Sequence, residues 1–373
     1  MPIAIPPSSP GGADMNRERR YMSWDLADNS VGREILAVVS RHNPARVVPF
    51  AIPLSPAAHR SPPERAAMEQ LRRACEKRGG GWIEIDDAAP GGAGHGLANA
   101  VARVNGARLH ILIDAQGWGR GHALRVLAAH PAPIQVSWKN FVGSVGSASL
   151  LPVLVSDRIA TPPEHRFLFA ESLLILPSSF YATGHHLLPP HSDPPVVVGN
   201  AHAARPANLL AVAREVGVEI PQEGFVLGVF NNLRKVRRED VAEWCLLLGG
   251  LIDQPGGRGE GLGRDNSSFL WIVANPPFAV PAIRRTLLRC GVEAHRVIVS
   301  PKLARADHMK VKALASVAWD ALPFNGHSTS VEALWEGIPL LSVPGARMAG
   351  RVGATILLAA NLPLTVALLN PKP

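Results

Sequence analysis

Beyond residue 221 the chain alternates short apolar runs with longer segments in which apolar residues recur every three or four positions. Strand-like runs interleaved with helical periods are the signature of parallel strands joined by crossover helices. The pattern predicts strands at Phe225–Phe230, Phe269–Val273, Arg296–Ser300, Val317–Asp320 and Pro339–Val343. Between them it predicts helices at Glu239–Leu251, Ala282–Cys290 closed by Gly291, Asp307–Ser316 and Thr329–Trp335. The expected fold class is therefore α/β, a doubly wound and mostly parallel sheet. In such sheets ligands lie beyond the carboxyl ends of the strands, so loops starting at Asn231, Ser300 and Leu322 are expected to line one crevice.

The first half is less regular. Strand candidates fall at Arg46–Leu54, Trp82–Ile85, Leu109–Ile113, Ile134–Trp138 and Leu151–Val155, which makes a second Rossmann-like lobe the expectation. Pro and Gly punctuate the chain before Met15, from Ala88 to His95, and from about His185 to Pro221. The resulting division is a disordered tail at 1–14, an N-terminal lobe at 15–185, a Pro/His-rich linker at 186–221 and a C-terminal lobe at 222–373. Gly256–Gly263 reads as a surface insertion.

Composition narrows the class. With 47% hydrophobic and 18% charged residues, and no uninterrupted apolar run of spanning length, neither global disorder nor a membrane span is indicated, and no membrane partner is expected. No signal-peptide pattern opens the chain, and Cys75, Cys245 and Cys290 each stand alone without a CxxC pair, which fits a reducing compartment. Seven lysines against 31 arginines make each lysine a rare choice. The net charge of +8 comes from scattered arginines with no interleaved aromatics, so an anionic nucleotide is expected rather than nucleic acid.

The segment from Asp320 through Asn325-Gly326-His327-Ser328-Thr329 to Glu332 leaves a strand and enters a helix through small polar residues. Free N–H groups at that helix start, with the Ser328 and Thr329 hydroxyls, would suit a diphosphate. The same residues also fit a plain capping box, Thr329 as N-cap and Glu332 three residues on. Asn231-Asn232-Leu233-Arg234-Lys235 follows the first strand of the C-terminal half and offers Lys235 as a cation, or merely as one charge of a solvated run. His308 opens a helix after Ser300-Pro301-Lys302-Leu303-Ala304-Arg305. His110, at the edge of an apolar run, reads as a core histidine and is carried as a further catalytic candidate. No DxD pair, HExxH, GxSxG, GxGxxG after a strand, or GxxxxGK[ST] occurs, so metal, serine hydrolase, dinucleotide and P-loop chemistries lose their usual marks.

Taken together, His130-Pro131-Ala132-Pro133-Ile134-Gln135-Val136-Ser137-Trp138, Phe230-Asn231-Asn232 with Lys235, Ser300-Pro301 with His308, and Asn325 to Thr329 leading to Glu332-Ala333-Leu334-Trp335 resemble the catalytic region of protein O-GlcNAc transferases and SPINDLY-type O-fucosyltransferases. The resemblance runs from about Leu109 to Pro363. It implies two Rossmann-like lobes of GT-B type and metal-free, inverting transfer of GlcNAc from UDP-GlcNAc to Ser or Thr hydroxyls of proteins, with no cofactor, by a chain located in the cytoplasm or nucleus. By that resemblance Lys235 and Asn232 face the donor diphosphate, His327, Ser328 and Thr329 cradle it, and Glu332 holds the ribose. Leu303, Arg305 and His308 hold the base.

The sequence also departs from the family pattern. The loop Ser23–Arg33 has no histidine, Arg305 and Glu332 stand where the animal enzymes have lysine and aspartate, and the loop Lys139–Gly146 matches only in part. Tetratricopeptide repeats are not present in the given sequence, so acceptors are selected differently or the chain is a fragment. Two alternatives stay open: a non-catalytic nucleotide-binding relic, and a fucosyltransferase using GDP-fucose.

Overall fold

The computed structural model describes residues 18–23, 30–54, 60–85, 95–119, 122–139, 141–187, 204–249 and 268–362. The expected tail, the Gly256–Gly263 insertion, residues 24–29 of the histidine-less loop and 188–203 of the expected linker lie outside them. Two compact units emerge, the first comprising 1–155 with Ala170–Leu173 and the second Ser156–Phe169 with 174–373.

The first unit carries β1 (Glu18–Ser23), α1 (Ser30–Arg41), β2 (Val48–Pro53), α2 (Pro62–Glu76), β3 (Gly81–Trp82), α3 (His95–Gly106), β4 (Ile111–Asp114), α4 (Leu124–Leu127) and β5 (Ile134–Ser137). With β6 (Val153–Asp157) and β7 (Ser172–Leu176), which cross the division, they form one sheet of order β3-β2-β1-β4-β5-β6-β7. Pairings from β3 through β6 are parallel. The helices follow local rules. In α2, Ser61 and Glu64 close a capping box, the Ser61 N–H donating to Glu64 Oε2 at 2.6 Å, and Met68, Leu71 and Cys75 turn inward.

The second unit holds α5 (Ala207–Glu215), β8 (Phe225–Val229), α6 (Arg238–Gly249), β9 (Ser268–Val273), α7 (Val280–Arg289), β10 (Val297–Ser300), α8 (Arg305–Lys312), β11 (Val317–Trp319), α9 (Ser328–Trp335), β12 (Leu340–Leu341) and α10 (Val352–Ala359). Its all-parallel sheet has the order β10-β9-β8-β11-β12. The chain leaves central β8 through β9 and β10 on one side, then returns to lay β11 and β12 on the other. The order reverses between β8 and β11, which is where such a sheet opens a crevice.

The apolar periods decide which faces are covered. Val241, Trp244 and Leu248 of α6 and Val280, Ile283 and Leu287 of α7 pack with Leu227, Val229, Leu270 and Ile272 on one face of the sheet. Leu210 and Ala213 of α5 join Val226, Phe230, Trp271, Val311 and Leu314 on the other. Each Val, Leu, Ile or Phe side chain among them is worth about 1.5–3 kcal/mol when fully buried.

Two expectations are corrected here. Part of the stretch read as a linker, Ala207–Glu215, is α5, built into the second core, and the division between units falls earlier. Buried Arg205 anchors that stretch: its Nε donates to Leu314 O at 2.7 Å, Nη2 to Gly224 O at 2.7 Å and Nη1 to Pro221 O at 3.1 Å. Proline content alone does not reveal such an anchor. Cys245 and Cys290, read as solitary, form a disulfide with Cα atoms 5.9 Å apart, because α6 and α7 pack side by side across 45 residues of sequence. Cys75 remains a buried thiol, its pKa pushed up to about 12 by burial.

Candidate nucleotide site

At the β8/β11 switch point two loops converge. The first leaves β8 through Phe230 and Asn231 into a single 3-10 turn, Leu233–Lys235, capped by Asn232, whose side chain accepts from the Arg234 N–H at 3.0 Å. That turn aims Lys235 back over the sheet. Its ammonium donates to the Asn325 carbonyl at 2.6 Å and lies 4.2 Å from the Phe324 ring centre. Burial lowers the Lys235 pKa to about 8, against the pull of Asp320.

The second loop runs from β11 into α9 and is held from beneath by Asp320. This buried carboxylate accepts from the Gly326 N–H at 2.5 Å, Ser342 Oγ at 2.7 Å and Ser330 Oγ at 3.3 Å. Burial raises its pKa, opposed by those donors and by Lys235. Asn325 locks the other side, donating to Ala321 O at 3.0 Å and accepting from the Gly353 N–H at 3.0 Å. Gly326 fits only because it lacks a side chain, since a Cβ there would stand 2.3 Å from Ser330 Oγ and 2.8 Å from Asn231 Oδ1.

His327 precedes α9 with φ of +54°, a left-handed conformation costly for a side-chain residue. Its ring lies 4.7 Å from that of Phe324, and Nε2 is 3.2 Å from Ala349 O. The capping-box reading does not hold. Ser328 starts the helix, His327 is the N-cap without a side-chain cap bond, and Glu332 turns elsewhere. Ser328 and Thr329, half-buried, occupy the first turn, where helix N–H groups favour an anion.

Glu332 points to α8. Its Oε2 is 3.0 Å from Lys312 Nζ and its Oε1 3.5 Å from Arg305 Nε. Burial would raise its pKa, but Lys312, Arg305 and His308 together hold it below the usual carboxylate value. His308, on the same helix, meets the Phe230 ring edge-on at 5.6 Å, and its pKa falls to about 4 through burial and the nearby Lys312. Leu303 packs on the core just before α8. Thus Asn232, Lys235, Leu303, Arg305, His308, His327, Ser328 and Thr329 fall on loops or first turns at the carboxyl edge of one sheet, with Glu332 one turn into α9.

His110 does not join them. It is exposed at the amino end of β4, opposite the edge where parallel sheets bind ligands, so neither a core nor a catalytic role fits. The carboxyl edge of the first unit instead presents groups the sequence reading left without roles. Asp114 is buried, accepts from the Gly117 N–H at 2.8 Å, and has its pKa raised to about 6 by burial. Lys139, fully buried, pairs with Glu34 of α1 at 2.9 Å, and burial lowers its pKa to about 8. Glu171, at the amino end of β7, instead fixes part of the loop after β5, accepting from Ser144 Oγ at 2.7 Å and the Val145 N–H at 2.6 Å. Asp320 and Lys312 were likewise missed. The available signal was lysine scarcity: Lys139, Lys235 and Lys312, three of only seven, all enter polar clusters inside the fold.

Among the described residues no three His, Cys, Asp or Glu side chains are grouped to hold a metal ion, and no helix is long and apolar enough to cross a membrane.

The probable UDP-N-acetylglucosamine–peptide N-acetylglucosaminyltransferase SEC of Arabidopsis thaliana is 24% identical, over 96% of this chain and 33% of its own length. The SPINDLY protein of Petunia hybrida, bearing the same enzyme description, is 26% identical over 93% of this chain and 32% of its own. The chain thus spans about a third of the curated relatives it matches. A point-mutant O-GlcNAc transferase from Thermobaculum terrenum superposes with a TM-score of 0.72 at 25% identity, covering 97% of this chain and 59% of that one. The α/β architecture is of the GT-B type. The profile of Glycosyl transferase family 41 matches residues 93–215 and 198–370, and the chain belongs to that family.

Proposed function

We propose that this chain is the catalytic region of a protein O-GlcNAc transferase, moving N-acetylglucosamine from UDP-GlcNAc to Ser or Thr hydroxyls of proteins, with inversion and without a metal ion. The observation that carries this reading is the meeting of Lys235 with the polar start of α9 at the switch point of the second sheet. An acceptor hydroxyl attacks the anomeric carbon from the face opposite the diphosphate. The new C–O bond forms as the bond to the diphosphate breaks; the hydroxyl proton passes to solvent water, and the bonding pair leaves with the diphosphate, which gains negative charge. A preorganised ammonium and helix N–H groups stabilise that charge without reorganising, which is where such sites contribute most. Lys235 and Asn232 face the diphosphate, with His327, Ser328 and Thr329 around it. Glu332 takes the ribose hydroxyls, and Leu303, Arg305 and His308 take the base.

The relatives' descriptions support the choice of donor and acceptor. The test is incubation of the full chain with radiolabelled UDP-GlcNAc and Ser/Thr peptides, with and without EDTA. EDTA-insensitive label released by β-elimination supports the proposal. Label from GDP-fucose instead would reassign the donor, and nucleotide binding without transfer of either sugar would make the chain a relic.

A further inference from the structure

Lys312 is the least accessible charged group near this site, with a side chain that is 0% exposed. It sits at the end of α8, yet its ammonium crosses to α9 and reaches Glu332 Oε2 at 3.0 Å while lying 5.2 Å from the Phe230 ring centre. That ring is itself held in place. Gly228 leaves the space it needs, since a Cβ there would come within 2.4 Å of Phe230, and Trp271 meets the ring edge-on at 5.1 Å. A buried ammonium is costly unless its partners are fixed, so the cluster stands or falls as a unit.

We propose that Lys312 is a positioning residue of the nucleotide pocket, whose buried ammonium fixes the Glu332 carboxylate as an acceptor for the ribose diol of a nucleoside diphosphate. The inference rests on the reading of Glu332 given above. Glu332 stands between two cations of unequal exposure, buried Lys312 on one oxygen and Arg305, 32% exposed, on the other. Lys312 sets the rotamer from inside the fold, and Arg305 stands at the solvent side, where a ligand approaches. A carboxylate oxygen carries two lone pairs, so Glu332 keeps accepting capacity after both contacts. Buried Glu336 adds a second negative charge on α9 that also acts on Lys312.

The same ammonium acts on His308 within α8, where Glu332 of α9 opposes it. His308 Nε2 has no hydrogen-bond partner among the described residues. As a result the ring stays a neutral imidazole through physiological pH, with Nε2 open to a ligand, while Glu332 stays anionic.

The experiment uses the full chain with three variants: Lys312→Met, Lys312→Arg, and Lys312→Met combined with Glu332→Gln, which removes the charge on both sides. Affinities for UDP and 2′-deoxy-UDP are measured by calorimetry, alongside the titration of ¹³C-labelled histidine rings followed by NMR, with His308→Asn for assignment. A charge-assisted hydrogen bond is worth about 1.5–3 kcal/mol, or roughly tenfold to a hundredfold in affinity. The native chain is expected to prefer UDP over the deoxy analogue by that factor, and Lys312→Met to lose the preference. Lys312→Arg restores part of it, whereas the double variant recovers the melting temperature without recovering the preference. In Lys312→Met the His308 resonance titrates at higher pH than in the native chain. An unchanged UDP to deoxy-UDP ratio in a folded Lys312→Met variant overturns the inference. Should the native chain bind neither nucleotide, the functional reading fails, and an unaltered His308 titration in Lys312→Met then overturns the role of Lys312 separately.

Discussion

The Lys235 ammonium donates to the Asn325 carbonyl at 2.6 Å, tying the loop after β8 to the loop after β11 across the point where strand order reverses. The bond places a partly buried cation beside the first turn of an eight-residue helix, α9. Removing it should therefore cost chemistry more than folding. Lys235→Ala is expected to lose about 2–4 kcal/mol of transition-state stabilisation, by analogy with deletion of one oxyanion donor. Single-turnover rates read this directly, and an unchanged rate refutes the role.

The depressed Lys235 pKa gives a pH signature. The charged form is the one an anion binds, and its loss begins near pH 8 instead of near the ordinary lysine value. Affinity for a nucleoside diphosphate should be level below that pH and fall by up to about tenfold per unit above it. Lys235→Arg, charged throughout, should flatten the profile between pH 7 and 9 in calorimetric titrations. A native profile level to pH 9.5 contradicts this account.

Gly326→Ala inserts a methyl group 2.3 Å from Ser330 Oγ and 2.8 Å from Asn231 Oδ1, directly above the Asp320 carboxylate. Overpacking of this kind costs about 1–3 kcal/mol. Chemical denaturation should show that loss, and nucleotide affinity should fall with it, because the same shift moves the start of α9. Stability and affinity both equal to native would show the loop to be loose.

Arg205→Met removes donors from the carbonyls of Leu314, Pro221 and Gly224 inside the second core. Hydrogen bonds to a charged group contribute about 1.5–3 kcal/mol each, and unsatisfied buried carbonyls add to the cost. The expected loss is about 3–5 kcal/mol, since several buried carbonyls lose a charged donor at once. Urea titration checks it. A loss under about 1 kcal/mol would mean that α5 docks without this anchor.

The periodicity of the second half was readable because each strand there is a short apolar run with buried flanks. Phe225–Val229 and Ser268–Val273 fall within a residue of the expected limits. The misses have physical reasons. Strand β1 reads Glu-Arg-Arg-Tyr-Met-Ser, with no apolar run to announce it, and β7 is an edge strand with Leu174 and Ile175 exposed, so neither shows a two-residue alternation. The site residues on the Asn325–Thr329 segment were legible as a polar helix entry. What spacing could not give was the direction of side chains. Glu332 at the third position after Thr329 satisfies the sequence rule for a capping box, yet Lys312 and Arg305 turn it away from the helix start. Similarly, buried Asp320 supports the loop from below, a role visible only once Gly326, Ser330 and Ser342 are seen to converge on it.

The central claim is a nucleotide-diphosphate site in the second unit, and thermal denaturation of the chain with UDP, GDP and ADP, each with and without EDTA, tests it most directly. A ligand that binds only the native state stabilises it by about 2.7 kcal/mol at a hundredfold excess over its Kd. The account predicts a rise in Tm with UDP that exceeds those with GDP and ADP, survives EDTA and disappears in Lys235→Ala. No rise with any of the three nucleotides would contradict it.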